Sequence, residues 1–130
     1  KERSSDRIVI MRDGPPKSGE ELEECLEVFN EVTRELGYRP SLEYISVIKS
    51  APIRIFEVDG SAQNPIQGTY CYLHGIKHFN FRAHEVLVVS TRPGGKKCAK
   101  PVLLRIYEVG KRNLNEEDIK GIAEEYLSLN

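Results

Sequence analysis

The chain has 130 residues, 30% of them charged and 39% hydrophobic, with a formal net charge of −1. That length supports a single core, and the near-neutral balance excludes a molecule-wide attraction to polyanions, so any nucleic-acid surface has to be a local patch. No apolar run approaches the roughly 18 residues of a spanning helix, and Cys25, Cys71 and Cys98 are odd in number and far apart. The expectation is a cytoplasmic protein with free thiols and no membrane partner.

Arg7 to Arg12 is a short apolar run bounded by charge, which predicts a strand buried on both faces, ending in a turn at Asp13, Gly14, Pro15 and Pro16. Ser18 stands three residues before Glu21, a capping-box spacing. Leu22, Cys25, Leu26, Phe29, Val32 and Leu36 then recur at helical intervals as far as Gly37. The glutamates between them, among them Glu20, Glu23, Glu24 and Glu27, read as a solvated face rather than as catalytic groups.

Ser41 to Lys49 alternates and is rich in β-formers, and Ile53 to Val58 follows it after Ala51-Pro52. Strand, helix, strand in this order predicts a right-handed βαβ unit in a partly parallel sheet, hence an α/β fold. Asp59 to Gln67 reads as a loop, Gly68 to Leu73 and Glu85 to Thr91 as strands, and Arg92 to Lys100 as a Gly-rich basic loop. Pro101 to Val109 is a further strand, and Asn115 caps a last helix with Ile119, Ile122, Ala123, Tyr126 and Leu127 inward.

Asp13 is the most informative acidic residue. It follows a strand at the carboxyl edge, where open α/β sheets place ligands, and a carboxylate there binds hard cations. An ordinary Asx-type turn is the competing reading of the same Asp-Gly pair. His74, His78 and His84 do not share a helix face and lack a cysteine pair at finger spacing, so they are not read as metal ligands. None of the cysteines is set beside a base, and Cys25 belongs to an apolar helix face.

The stretch Arg7-Ile-Val-Ile-Met-Arg-Asp-Gly14, the long helix after it, and Tyr44-Ile-Ser-Val-Ile-Lys-Ser-Ala-Pro-Ile-Arg-Ile-Phe56 together resemble the PIWI domain of Argonaute proteins. Asn64-Pro-Ile-Gln-Gly-Thr69 is similar to that family's Pro-x-Gly-Thr segment, Ala99-Lys-Pro101 to its Ser-Arg-Pro, and the chain from Asn115 to its late helix. The resemblance implies one domain over residues 1–130: the C-terminal, incomplete part of a ribonuclease-H-like mixed sheet with flanking helices. It implies that Asp13 is a catalytic metal ligand for Mg²⁺ or Mn²⁺ in a guide-directed endonuclease, whose two metals stabilise the attacking and leaving oxygens of a phosphodiester.

Further ligands in the family come from an earlier strand, a glutamate-bearing loop and a segment beyond the last helix. The chain is therefore not expected to cleave alone, and the remainder of the Argonaute protein is an implied partner. Lys49, Arg54 and Lys100 match positions along the family's channel for guide and target, DNA or RNA. Their charge would neutralise phosphates whatever the sequence, although ordinary surface cations read the same way. Where the family has a pair of histidines this chain has Ser50-Ala51-Pro52-Ile53, so that part of the duplex grip differs.

Arg92, Lys96 and Lys97, with Lys100, Arg105, Lys111 and Arg112, make a local basic excess opposed by Glu108, a phosphate-tracking surface or a solvated loop. Without the family's preceding strands, Arg7 to Arg12 would keep unpaired backbone groups along one side, which predicts a homodimer through that edge. The alternative reading is a flavodoxin-like α/β signalling or interaction domain without nuclease activity, with Asp13 a phosphoacceptor or a turn residue.

Overall fold

The computed structural model describes residues 7–49, 57–59, 61–63, 70–89, 101–110 and 113–129. Arg7–Asp13 forms β1, and the helix predicted from the periodicity follows as α1, Gly19–Leu36. Ser18 precedes α1 in extended backbone, and Gly37 ends it at φ 77°, donating its N–H to the Thr33 carbonyl. Only a residue tolerant of the left-handed region stops a helix in this way without strain. Ser41–Ile48 is β2, which pairs with β1 in parallel from Arg7 opposite Ser41 to Asp13 opposite Val47. The parallel βαβ unit expected from the sequence is therefore present.

Glu57–Asp59 and Ser61–Gln63, β3 and β4, form a separate small hairpin, so part of the segment read as a loop is paired. Tyr70–His78 and Phe81–Val88, β5 and β6, make a long hairpin around Phe79 and Asn80, both at positive φ. Val102–Tyr107 is β7 and Glu116–Leu129 is α2. The sheet runs β1-β2-β7-β6-β5, and every neighbouring pair except β1 with β2 is antiparallel.

Side chains alternate across a strand, so each sheet face has its own core. Leu22 and Phe29 of α1 pack with Leu42, Tyr44, Ala83, Tyr107 and Val109 on one face. Ile119, Ile122, Ala123 and Tyr126 of α2 pack with Ile45, Val47, Val86, Val88, Leu104 and Ile106 on the other. The arrangement is a helix, a mixed sheet and a helix in three layers.

One burial expectation is corrected. β1 lies at the sheet edge and alternates, with Val9 38% and Met11 43% exposed, rather than being covered on both faces. β2, with its alternating pattern, is buried from Leu42 to Val47, Glu43 and Ser46 included, because it lies inside the sheet with a helix on each side.

Candidate nucleic-acid interface

Asp13 is the last residue of β1, at the carboxyl end of the parallel pair. Gly14 donates its N–H to the Val47 carbonyl at 2.8 Å while turning at φ 83°, so the chain leaves the sheet directly after the carboxylate. The Asp13 side chain is 88% exposed and projects into a shallow groove of about 350 Å³ lined by Met11, Val47, Lys49, Tyr126 and Leu129. The Lys49 ammonium, one residue past β2, lies 3.9 Å from Asp13 Oδ1 and is itself 70% exposed. An ion pair this open contributes at most about 1 kcal/mol, so it leaves both groups available to a ligand.

The turn beyond Asp13 is fixed by Arg12 and Glu21. Arg12 Nη1 donates to the Asp13 carbonyl at 2.7 Å, and Arg12 Nε donates to Glu21 Oε1. Glu21 Oε2 accepts the Lys17 backbone N–H at 2.8 Å, and Oε1 also accepts from the Tyr44 hydroxyl at 3.2 Å. The capping spacing placed Glu21 correctly at the start of α1, but its carboxylate reaches back to Lys17. The Arg12 hydrogen bond, followed by the Lys17 N–H, holds the Glu21 carboxyl below the usual carboxylate range. Tyr44 is pushed up to about 12, first by burial and then by the negative charge of Glu21.

The periodicity of α2 places Tyr126 in the core. Its phenol is raised mainly by burial and further by the Asp13 charge, so α2 forms a wall of the same groove. Its 3.6-residue periodicity marked it as inward-facing, but nothing local linked it to a residue 113 positions earlier. Lys49 is the one sequence-selected cation brought to Asp13 among the described residues. Arg54, Arg92, Lys96, Lys97 and Lys100 lie outside the described residues.

Arg105 is corrected. Instead of joining an open basic surface, its guanidinium lies on the α1 side of the sheet, 18% exposed, with Nε at 2.9 Å and Nη2 at 2.8 Å from Glu85 Oε2. Glu85 also meets His74 Nε2 at 2.6 Å. Burial alone would raise the Glu85 carboxyl, but the His74 and Arg105 hydrogen bonds outweigh it and hold the group below its usual range.

The other histidines are similarly engaged. His84 is enclosed between Tyr72 Oη at 3.2 Å and Glu108 Oε2 at 2.6 Å, and His78 Nδ1 lies 2.7 Å from the Tyr107 hydroxyl. Cys25 is half-buried and its thiol is pushed up by that burial, the opposite of an activated nucleophile.

As a cation site the groove supplies one carboxylate, Asp13, and among the described residues no group of three His, Cys, Asp or Glu side chains stands together as a metal shell. A two-metal centre requires more ligands than this. No described helix is long and apolar enough to cross a membrane. Compared with known proteins, the chain matches no family model and no curated relative.

Proposed function

We propose that this chain is the C-terminal part of a PIWI-like, ribonuclease-H-like module that holds guide and target nucleic acid against the carboxyl rim of β1 and β2. One observation carries the reading: an exposed carboxylate and an exposed ammonium share a groove at the carboxyl ends of the molecule's parallel strand pair. This is where an open α/β sheet presents ligands. The order of the sequence motifs and the mixed sheet with a helix on each face are compatible with it.

In this reading Lys49 neutralises a backbone phosphate, with Arg54, Lys100, Arg92, Lys96 and Lys97 extending the track. Asp13 is one ligand of a Mg²⁺ or Mn²⁺ centre, and bound metal would supply charge neutralisation at the scissile phosphate. Among the described residues Asp13 is the one carboxylate in the groove, so in this reading phosphodiester hydrolysis belongs to a larger assembly and no catalytic step is assigned to these residues alone. The test is salt-dependent binding of single-stranded and duplex oligonucleotides. Binding should weaken steeply with salt, and the K49A/R54A/K100A triple variant should bind less tightly with a shallower salt slope. Equal affinity and slope in both proteins would remove the proposal.

A further inference from the structure

Between α2 and the first residues of β1 and β2, at the end of that strand pair away from Asp13, lies an open cleft of about 570 Å³. Five carboxylates line it, Glu43, Glu117, Asp118, Glu124 and Glu125, against one guanidinium, Arg7. The helix cap engages Asp118, and Arg7 engages Glu125. Glu117 and Glu124, both exposed, stand two turns apart on one side of α2, about 10.5 Å along its axis. Gly121 lies between them, and a Cβ added there would meet nothing within 4 Å, so its missing side chain opens the middle of the cleft.

A row of acids on a helix is by itself a solvated face. The floor of this cleft is different. Glu43 projects from β2 on the α2 side and is 2% exposed, and Arg7 grips one of its oxygens only, with Nε at 2.8 Å and Nη2 at 2.7 Å from Oε1. The remaining arm of the guanidinium, Nη1, goes to Glu125. Glu43 Oε2 is buried with no hydrogen-bond partner. A carboxylate oxygen shut away from water without a donor is costly, so the cleft has an acceptor waiting at its floor.

The spread of the acceptors sets the class of ligand. Among the described residues no group of three His, Cys, Asp or Glu side chains stands together as a metal shell. Acceptors strung along two helical turns suit a flexible chain of ammonium groups, each donating up to three hydrogen bonds. We propose that the cleft binds a linear aliphatic polyamine, one ammonium donating to Glu43 Oε2 and the others lying along Glu117 and Glu124. The cleft shares no lining residue with the Asp13 groove, so the site does not depend on the nucleic-acid reading.

A backbone-amide NMR titration of the chain with spermidine at low ionic strength should give saturable shifts at Glu43, Gly121 and Glu124. Gly121→Leu fills the cleft with a good helix former and changes no charge, and it should weaken binding by about tenfold or more. Glu43→Gln, with its fold checked by circular dichroism, should weaken binding by about tenfold, whereas Glu23→Gln on the solvated face of α1 should leave it unchanged. The absence of saturable binding, or equal affinity in the unaltered chain and Gly121→Leu, would overturn the proposal. Saturable shifts of the same amides by Mg²⁺ alone would overturn it as well, by showing that the cleft attracts any cation.

Discussion

At the scale of single residues, Glu43 shows what a buried charge requires. It is 2% exposed within β2, and one oxygen meets Arg7 Nε at 2.8 Å and Nη2 at 2.7 Å, while Oε2 has no hydrogen-bond partner. Arg7 Nη1 also bonds Glu125 of α2 at 2.7 Å, so one guanidinium ties edge strand, inner strand and helix together. Arg7→Ala leaves a buried carboxylate uncompensated and should lower unfolding stability by about 3 kcal/mol, at the low end of such losses because Arg7 retains some solvent contact. Glu125→Ala removes the solvent-exposed partner and should cost less than about 1 kcal/mol. Urea unfolding of the two variants compares them directly.

The same scale sets the pH response. Glu21 and Glu125 are held below their ordinary value of 4.5 chiefly by Arg12 and Arg7, and Glu85 by His74 and Arg105 against its burial. A carboxyl depressed in the folded state contributes stability that is present above 4.5 and lost as pH falls through the folded value. His78 is depressed below 6.5 by burial and then by the Arg105 charge, so the unfolded chain takes up that proton first. Stability should therefore decline as pH falls below 6.5 and more steeply below 4.5, and Glu85→Gln should flatten the acid limb in denaturant midpoints measured across pH.

At the scale of elements, the two glycines of the helices call for opposite outcomes. Gly37 holds φ 77° with open space around it, so Gly37→Ala should destabilise by roughly 1 kcal/mol through backbone strain alone. Gly121 lies inside α2 with nothing within 4 Å of an added Cβ, and Gly121→Ala should raise stability by roughly 0.5–1 kcal/mol. Thermal unfolding separates the signs.

These elements also show what local pattern can and cannot specify. The α1 stripe and its Gly37 stop are encoded within 20 neighbouring positions, as is the α2 cap, in which the Asn115 N–H donates to Asp118 Oδ2 at 3.0 Å and the Asp118 N–H to Asn115 Oδ1 at 2.9 Å. The apolar run of β1 carries no sign of whether a neighbour covers it, and the edge position comes from strand order alone. β5 extends past Leu73 through His74, Gly75 and Lys77, beyond the strand legible in the sequence, because a cross-strand partner is what makes them a strand. Its turn at Phe79 and Asn80 lacks the glycine that signals such hairpins.

At the scale of the molecule, the candidate site is assembled from both ends of the chain. Asp13 was legible because a turn follows an apolar run, and Lys49 because it ends the next strand. Tyr126 and Leu129 reach the groove only through the packing of α2 on the sheet. Nucleic acid, in the function proposed above, contacts this rim. The most direct measurement is a backbone-amide NMR titration with a duplex oligonucleotide at low salt. Shifts should concentrate at Asp13, Gly14, Lys49 and Leu129 and vanish there in Lys49→Glu. Shifts confined to the opposite end of β1 and β2, or a titration unchanged by Lys49→Glu, would contradict it.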